Sequence, residues 1–183
     1  MPVKKKNTAK HGSEPKSAAR QAAGSTPRAS RPDVPPGYRF PTKPEGLLDW
    51  SWARERLTAS HNYVIVTVRP DGRPHAMGMH GVWHDDAYYF GTDSASRKAK
   101  NLEQNPNCIV ITEKLDEIVI VEGVAELIDF DTVPEELSPA SKTKYGWPME
   151  PHKGGAIYRV RPRVVFAFPL EQIETSVTRW KFE

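Results

Sequence analysis

The stretch from Tyr63 to Asn105 constrains the fold more than any other part of this chain. Tyr63-Val64-Ile65-Val66-Thr67-Val68 is β-branched and aromatic, which fits a pleated, half-buried strand. Pro70-Asp71-Gly72 follows as a hairpin turn, with glycine where a positive φ is needed. His75 to Trp83 reads as the returning strand. His84-Asp85-Asp86 turns the chain again into Ala87-Tyr88-Tyr89-Phe90. The third strand then breaks into Gly91-Thr92-Asp93-Ser94-Ala95-Ser96-Arg97-Lys98, just ahead of a short helix over 96–105 that Asn105-Pro106-Asn107 closes.

The flanking segments extend this pattern. Leu47, Leu48, Trp50, Trp52, Ala53 and Leu57 fall near helical spacing, so an amphipathic helix of about three turns precedes the first strand. Trp50 and Trp52 read as core or interface aromatics. Cys108–Thr112 and Glu117–Leu127 are further strands, the second bent at Gly123. Residues 133–145 read as a helix and 146–155 as a loop carrying Trp147. Strands over 156–160 and 164–168 are split by Arg161-Pro162-Arg163, and 178–183 alternates like a last short strand. Many strands, frequent turns and few helices call for a mainly β chain, a closed or nearly closed antiparallel barrel.

Two segments follow from composition. Residues 1–45 carry ten Lys/Arg against three Asp/Glu, a net +7, and lack apolar periodicity; they read as a disordered basic tail. Tyr38, Phe40 and the nearby prolines are candidates for an extended strap on the domain. Residues 46–183 hold the remaining 16 basic and 20 acidic residues, a net −4. An acidic domain argues against nucleic acid as the partner, and the tail reads first as a solubilising extension. No apolar run reaches the ~18 residues of a membrane span. The basic start has no apolar stretch after it, so no secretory signal is expected and a cytoplasmic protein is the simplest fit. The single cysteine, Cys108, reads as a small buried hydrophobe.

No nucleophile elbow, Walker loop or dinucleotide fingerprint occurs. His75, His80 and His84 lack a third ligand on a common face, so no metal site is expected. What stands out is the junction before the helix. Thr92, Ser94 and Ser96 supply hydroxyls, the first helical N–H groups lack intrahelical partners, and Arg97 and Lys98 add charge. This is either an anion site or good capping on a solvated face. In His75-Ala76-Met77-Gly78-Met79-His80-Gly81, glycines and the absence of β-branched bulk leave room for a flat group, or mark a bulge or tight barrel corner.

The ordered series Val68-Arg69-Pro70-Asp71-Gly72-Arg73-Pro74-His75, Gly81-Val82-Trp83, Tyr89-Phe90-Gly91-Thr92, Ser96-Arg97-Lys98-Ala99-Lys100-Asn101-Leu102, Asn105-Pro106 and Val121-Glu122-Gly123-Val124-Ala125 resembles the pyridoxamine 5'-phosphate oxidase-like family. The resemblance covers roughly residues 47–183 and implies a six-stranded antiparallel split barrel of the FMN-binding type. It implies a homodimer with two cofactors at the interface. The cofactor it implies is FMN, or the 8-hydroxy-5-deazaflavin coenzyme F420, with haem in a few branches.

By that resemblance Ser96, Arg97 and Lys98 bind the cofactor phosphate, with Gly91 and Thr92 close by. The strand His75, Ala76, Met77, Gly78, Met79 runs along the isoalloxazine ring, and Trp180 reaches the cofactor from the C-terminal segment. The chain lacks the Arg-x-His element of true pyridoxamine phosphate oxidases after Arg179, which argues against vitamin B6 oxidation. The implied activity is hydride transfer to or from a small unsaturated or aromatic molecule. The alternative is a non-catalytic cofactor- or haem-binding module. No catalytic acid is nominated. Trp83, Tyr88, Tyr89 and Trp147 are candidates for either the pocket or the core.

Overall fold

The structure is a computed structural model, and it describes residues 26–35, 37, 38 and 40–183. Nine strands and four α-helices are present among them. The chain is mainly β and antiparallel, an open sheet curled around one apolar core, as a split barrel requires.

Helix α1 (Trp50–Ala59) starts where the Asp49 carboxylate accepts from Ser51 N–H at 2.8 Å, and it buries Trp50, Ala53 and Leu57. Strand β2 (Tyr63–Val68) alternates strictly, with Tyr63, Ile65 and Thr67 inward. It pairs with β3 (Pro74–Met79) on one side and β6 (Asn107–Thr112) on the other. The other strands on this path are β7 (Glu117–Leu127), β8 (Gly155–Pro169), β9 (Thr178–Lys181) and β1 (Arg28–Ser30), in sheet order β1-β9-β8-β7-β6-β2-β3. Strands β4 (Val82–His84) and β5 (Ala87–Asp93) pair with each other, and β5 pairs with the first half of β8. One edge of β8 is thereby shared, β5 lying along 155–160 and β9 along 164–167.

Four sequence expectations are corrected. The tail was expected to be disordered through residue 45, yet Arg28–Ser30 pairs antiparallel with Arg179–Lys181. Arg31 holds that end in place, donating to the carbonyls of Lys43 at 2.7 Å, Val177 at 2.6 Å and Thr175 at 2.9 Å. Phe40 lies 6.2 Å from the Phe168 ring, as a strap would. The rest of the tail, residues 1–25, lies outside the described residues. Next, His75–Trp83 is not one strand. It breaks at His80-Gly81, where a Cβ on Gly81 would meet the Tyr88 ring and lie 2.5 Å from the Tyr89 carbonyl. There the Tyr145 hydroxyl accepts from Gly81 N–H at 3.1 Å and donates to its carbonyl at 2.8 Å, replacing strand partners.

The third correction concerns 156–168, which lies within one 15-residue strand, Gly155–Pro169. Pro162 sits opposite Gly123, at the register shift between Glu122 and Gly123, so its missing N–H falls where the ladder is already broken. Last, the helix expected from residue 133 begins later, as α3 (Leu137–Tyr145), with Phe130–Thr132 in a single 3-10 turn before it. The chain then reaches α4 (Ile173–Ser176) and β9.

The core gathers Leu57, Tyr63, Tyr88, Phe90, Val110, Val121, Val160, Val165 and Trp180. Cys108 is buried, and that burial pushes its thiol up to about 12. No helix among the described residues is long and apolar enough to cross a membrane.

Candidate functional site

The junction between β5 and α2 (Arg97–Gln104) is built from the inside outward. Asn101 of α2 is fully buried and donates from Nδ2 to Thr67 Oγ1 of β2 at 2.9 Å, which fixes the helix against the sheet. Ser96 is the N-cap, its Oγ accepting from Ala99 N–H at 3.3 Å. The Thr92 and Ser96 hydroxyls lie 3.2 Å apart. The connecting turn is held by Ala95 N–H to Asp93 Oδ1 at 2.7 Å, and Ser94 donates from N–H and Oγ to the Gly154 carbonyl at 2.9 and 3.0 Å.

Cations converge on this turn. Lys98 is partly buried, and that burial pushes its ammonium down while Asp93 pulls it back up. His75, opposite Thr67 on β3, is also pushed down, first by burial and then by the charges of Arg69, Lys98 and Arg97. Arg69 follows β2 and shares the inward face of Ile65 and Thr67. Its Nε is buried without a partner, as is Asn101 Oδ1. Among the described residues none of Arg69, Arg97 and Lys98 forms an ion pair, whereas Arg56, Arg73, Arg159, Arg161 and Arg179 all do. Arg97 is exposed and Lys98 part-buried, so the demand falls on Arg69 Nε, a buried cationic donor that needs an anion or water to satisfy it.

The junction adjoins a cavity of about 260 Å³. Gly78 and Met79 of β3, Gly91 of β5, Ala156 and Ile157 of β8, and the loop after α3 line it. Gly91 and Thr92 pair with Ile157 and Ala156, so the cavity wall and the β5–α2 turn are consecutive positions of one strand. A Cβ on Gly78 or Gly91 would meet nothing within 4 Å, so flat groups can approach the backbone at both places. Tyr145 and Trp147 stack at 5.5 Å and 24° beside it, and Trp147 is 51% exposed.

The structure therefore brings together Thr92, Ser96, Arg97, Lys98 and His75, and it sets Gly78, Met79 and Gly91 on the adjoining cavity. Ala76 and Met77 lie on the same exposed edge strand, outside the cavity lining. Trp180 belongs elsewhere, which corrects the expectation that it reaches the cofactor. It is 1% exposed, pairs with Val165 and Ala29, and packs edge-on against Trp50 at 5.5 Å. Trp83, Tyr88 and Tyr89 are core side chains, and of the four aromatic candidates Trp147 lines the cavity. The sequence reading singled out neither Arg69, Tyr145 nor Asn101 for the site. Arg69 and Asn101 stood in the motif series without a role, and Arg69 Nε is buried in the structure.

The sequence model described as pyridoxamine 5'-phosphate oxidase matches residues 52–176, well over half of the chain. The chain belongs to this family. A comparison with curated proteins finds no match. Among solved structures, the fold resembles General Stress Protein 26 from Bacillus anthracis str. Sterne, with 25% identity over 64% of this chain and 91% of that one, TM-score 0.54. It also resembles an F420 reductase at 23% identity, covering 67% and 98% of the two chains, TM-score 0.52. A conserved hypothetical protein, Rv2991 from Mycobacterium tuberculosis, is 20% identical over 78% and 90%, TM-score 0.57. The last two likenesses concern fold. The pyridoxamine 5'-phosphate oxidase match includes β2 through α4, so both the β5–α2 turn and the cavity lie within it.

Proposed function

We propose that this chain is a flavin-dependent oxidoreductase. It binds FMN or the deazaflavin coenzyme F420 and passes a hydride to or from a small unsaturated or aromatic substrate. The observation that carries the reading is that Arg69, Arg97 and Lys98, none of them in an ion pair among the described residues, all act on His75, and that Arg97 and Lys98 directly follow Ser96, whose hydroxyl lies 3.2 Å from that of Thr92. Two guanidinium groups, an ammonium and two hydroxyls match the donor demand of a phosphate. Open backbone at Gly78 and Gly91 suits a planar ring system beside it. Family membership supports a flavin, and the F420 reductase among the structural neighbours keeps the deazaflavin in play.

When bound, the cofactor supplies the hydride chemistry, and the protein supplies binding, orientation and electrostatics. Ser96, Arg97, Lys98 and Arg69 hold the phosphate. The backbone of β3 supports the ring, and the cavity beside Gly78 and Met79 admits the substrate. No side chain is assigned a proton-transfer role.

The homodimer belongs to the same proposal. On the outer face of the sheet, Gly78, Val64, Ile111, Ile120 and Phe166 align in register across five strands, all at least partly exposed. An apolar stripe of that length beside an exposed edge strand supports association of two copies, with the cofactor groove closed between them. Titrating the purified chain with FMN and with the deazaflavin tests the reading. One of the two binds at micromolar affinity or better, and binding neither overturns it. Light scattering at working concentration gives a mass of two chains.

A further inference from the structure

The cavity itself discriminates by charge. Its lining contains no Lys or Arg, and its one charged side chain is Glu150, whose Oε1 accepts from Ser138 Oγ at 3.1 Å. Arg69, Arg97 and Lys98 are all outside this lining. Two histidines, His80 and His152, also line it, much of the rest is glycine and aliphatic surface from β3, β5 and β8, and one side is aromatic. Trp147 is half exposed and backed by the Tyr145 ring, and His80 stands edge-on to both, at 5.3 Å and 81° from Trp147 and 4.8 Å and 62° from Tyr145. Tyr145 cannot move freely, because its hydroxyl is fixed to Gly81 N–H and carbonyl. Trp147 is anchored too, its carbonyl accepting from Ser141 Oγ at 3.0 Å. The aromatic wall is therefore pre-formed.

We infer that this cavity takes a planar aromatic ring without an anionic group, stacked on the exposed face of Trp147. A volume of about 260 Å³ is at the small end of ligand pockets and suits a one- or two-ring molecule. A rigid aromatic platform binds a ring through its face. A carboxylate with no cation in the lining disfavours phosphate, sulfate or carboxylate substituents. That such a ring is the hydride partner rests on the cofactor reading above; that it binds here does not.

The test is calorimetric binding of two probes that share a ring and differ in charge, 2-naphthol and 2-naphthalenesulfonate, to the full chain as purified. FMN is titrated in parallel into every protein. The naphthol binds at least tenfold tighter than the sulfonate. Trp147→Ala lowers naphthol affinity at least tenfold and leaves FMN affinity within twofold. Glu150→Gln, which keeps the Ser138 contact possible, narrows the naphthol-to-sulfonate ratio severalfold. Equal affinity for the two probes overturns the inference, and so does a folded Trp147→Ala protein that binds naphthol as well as the parent. If FMN fails to bind while the naphthol preference and its loss in Trp147→Ala persist, the cofactor reading alone falls and the ring site stands.

Discussion

Asn101 Nδ2 donates to Thr67 Oγ1 at 2.9 Å, with both side chains completely buried. This single bond joins the helix that follows the Thr92–Ser96 turn to the strand that leads into Arg69. It sets the spacing between cations contributed by two elements 34 residues apart at the bond. The other Asn101 amide atom, Oδ1, is buried without a hydrogen-bond partner, and so is Arg69 Nε.

Replacing Asn101 by Ala leaves Thr67 Oγ1 buried without this donor. A buried polar group that loses its partner costs roughly 1–3 kcal/mol. Asn101→Ala is therefore expected to lower the unfolding free energy by that amount, seen as a lower urea midpoint, and to weaken FMN binding as α2 loses its tether. Equilibrium denaturation and a cofactor titration on the same preparation check both effects.

Trp180 separates stability from binding. Its side chain packs in the core against Trp50, and Phe182 meets the same Trp50 ring at 5.1 Å. Trp180→Phe is expected to destabilise by roughly 0.5–3 kcal/mol, the ordinary range for a core change. Cofactor affinity stays within twofold of the parent. A large loss of affinity in a stably folded Trp180→Phe protein would return Trp180 to the site.

Lys144 gives a pH signature. It donates to the Thr58 carbonyl at 3.1 Å and the Tyr63 hydroxyl at 2.9 Å, and burial lowers it from 10.5 to about 8, with Glu113 acting against the shift. Between those two values the unfolded chain holds a proton that the folded chain has released. Stability therefore rises with pH through that window, relative to a chain without the lysine. Comparing denaturation of the parent and Lys144→Met at about pH 7 and about pH 10 shows the difference moving in the parent's favour as pH rises.

The legible parts of the fold were those whose signal is local. Strands β2, β6 and β7 alternate inward and outward along their own residues, and the start of α2 is written in Ser96 and the polar turn before it. Strand β1 was hidden because Arg-Ala-Ser has no apolar pattern and its partner lies at the far end of the chain. The break at Gly81 depends on Tyr145, 64 residues later. Pro162 looked like a strand terminator because it lacks an N–H, but the bulge at Gly123 removes the need for one. For the site, the α2 cluster was readable from donor types in sequence. Trp147 was one of four aromatic candidates, while Arg69 and the Tyr145 ring stacked on Trp147 became visible only once distant elements were packed together.

The central claim is that Arg97 and Lys98, with Arg69, hold the phosphate of a flavin. The most direct measurement is the FMN dissociation constant of Arg97→Ala/Lys98→Ala beside the parent, with circular dichroism to show that the fold survives. Two charge-assisted contacts at a partly buried site, each worth roughly 1.5–3 kcal/mol, correspond to at least a tenfold loss of affinity. The account predicts that loss, reproduced by Arg69→Ala at smaller size. An unchanged dissociation constant in the folded double variant would contradict it.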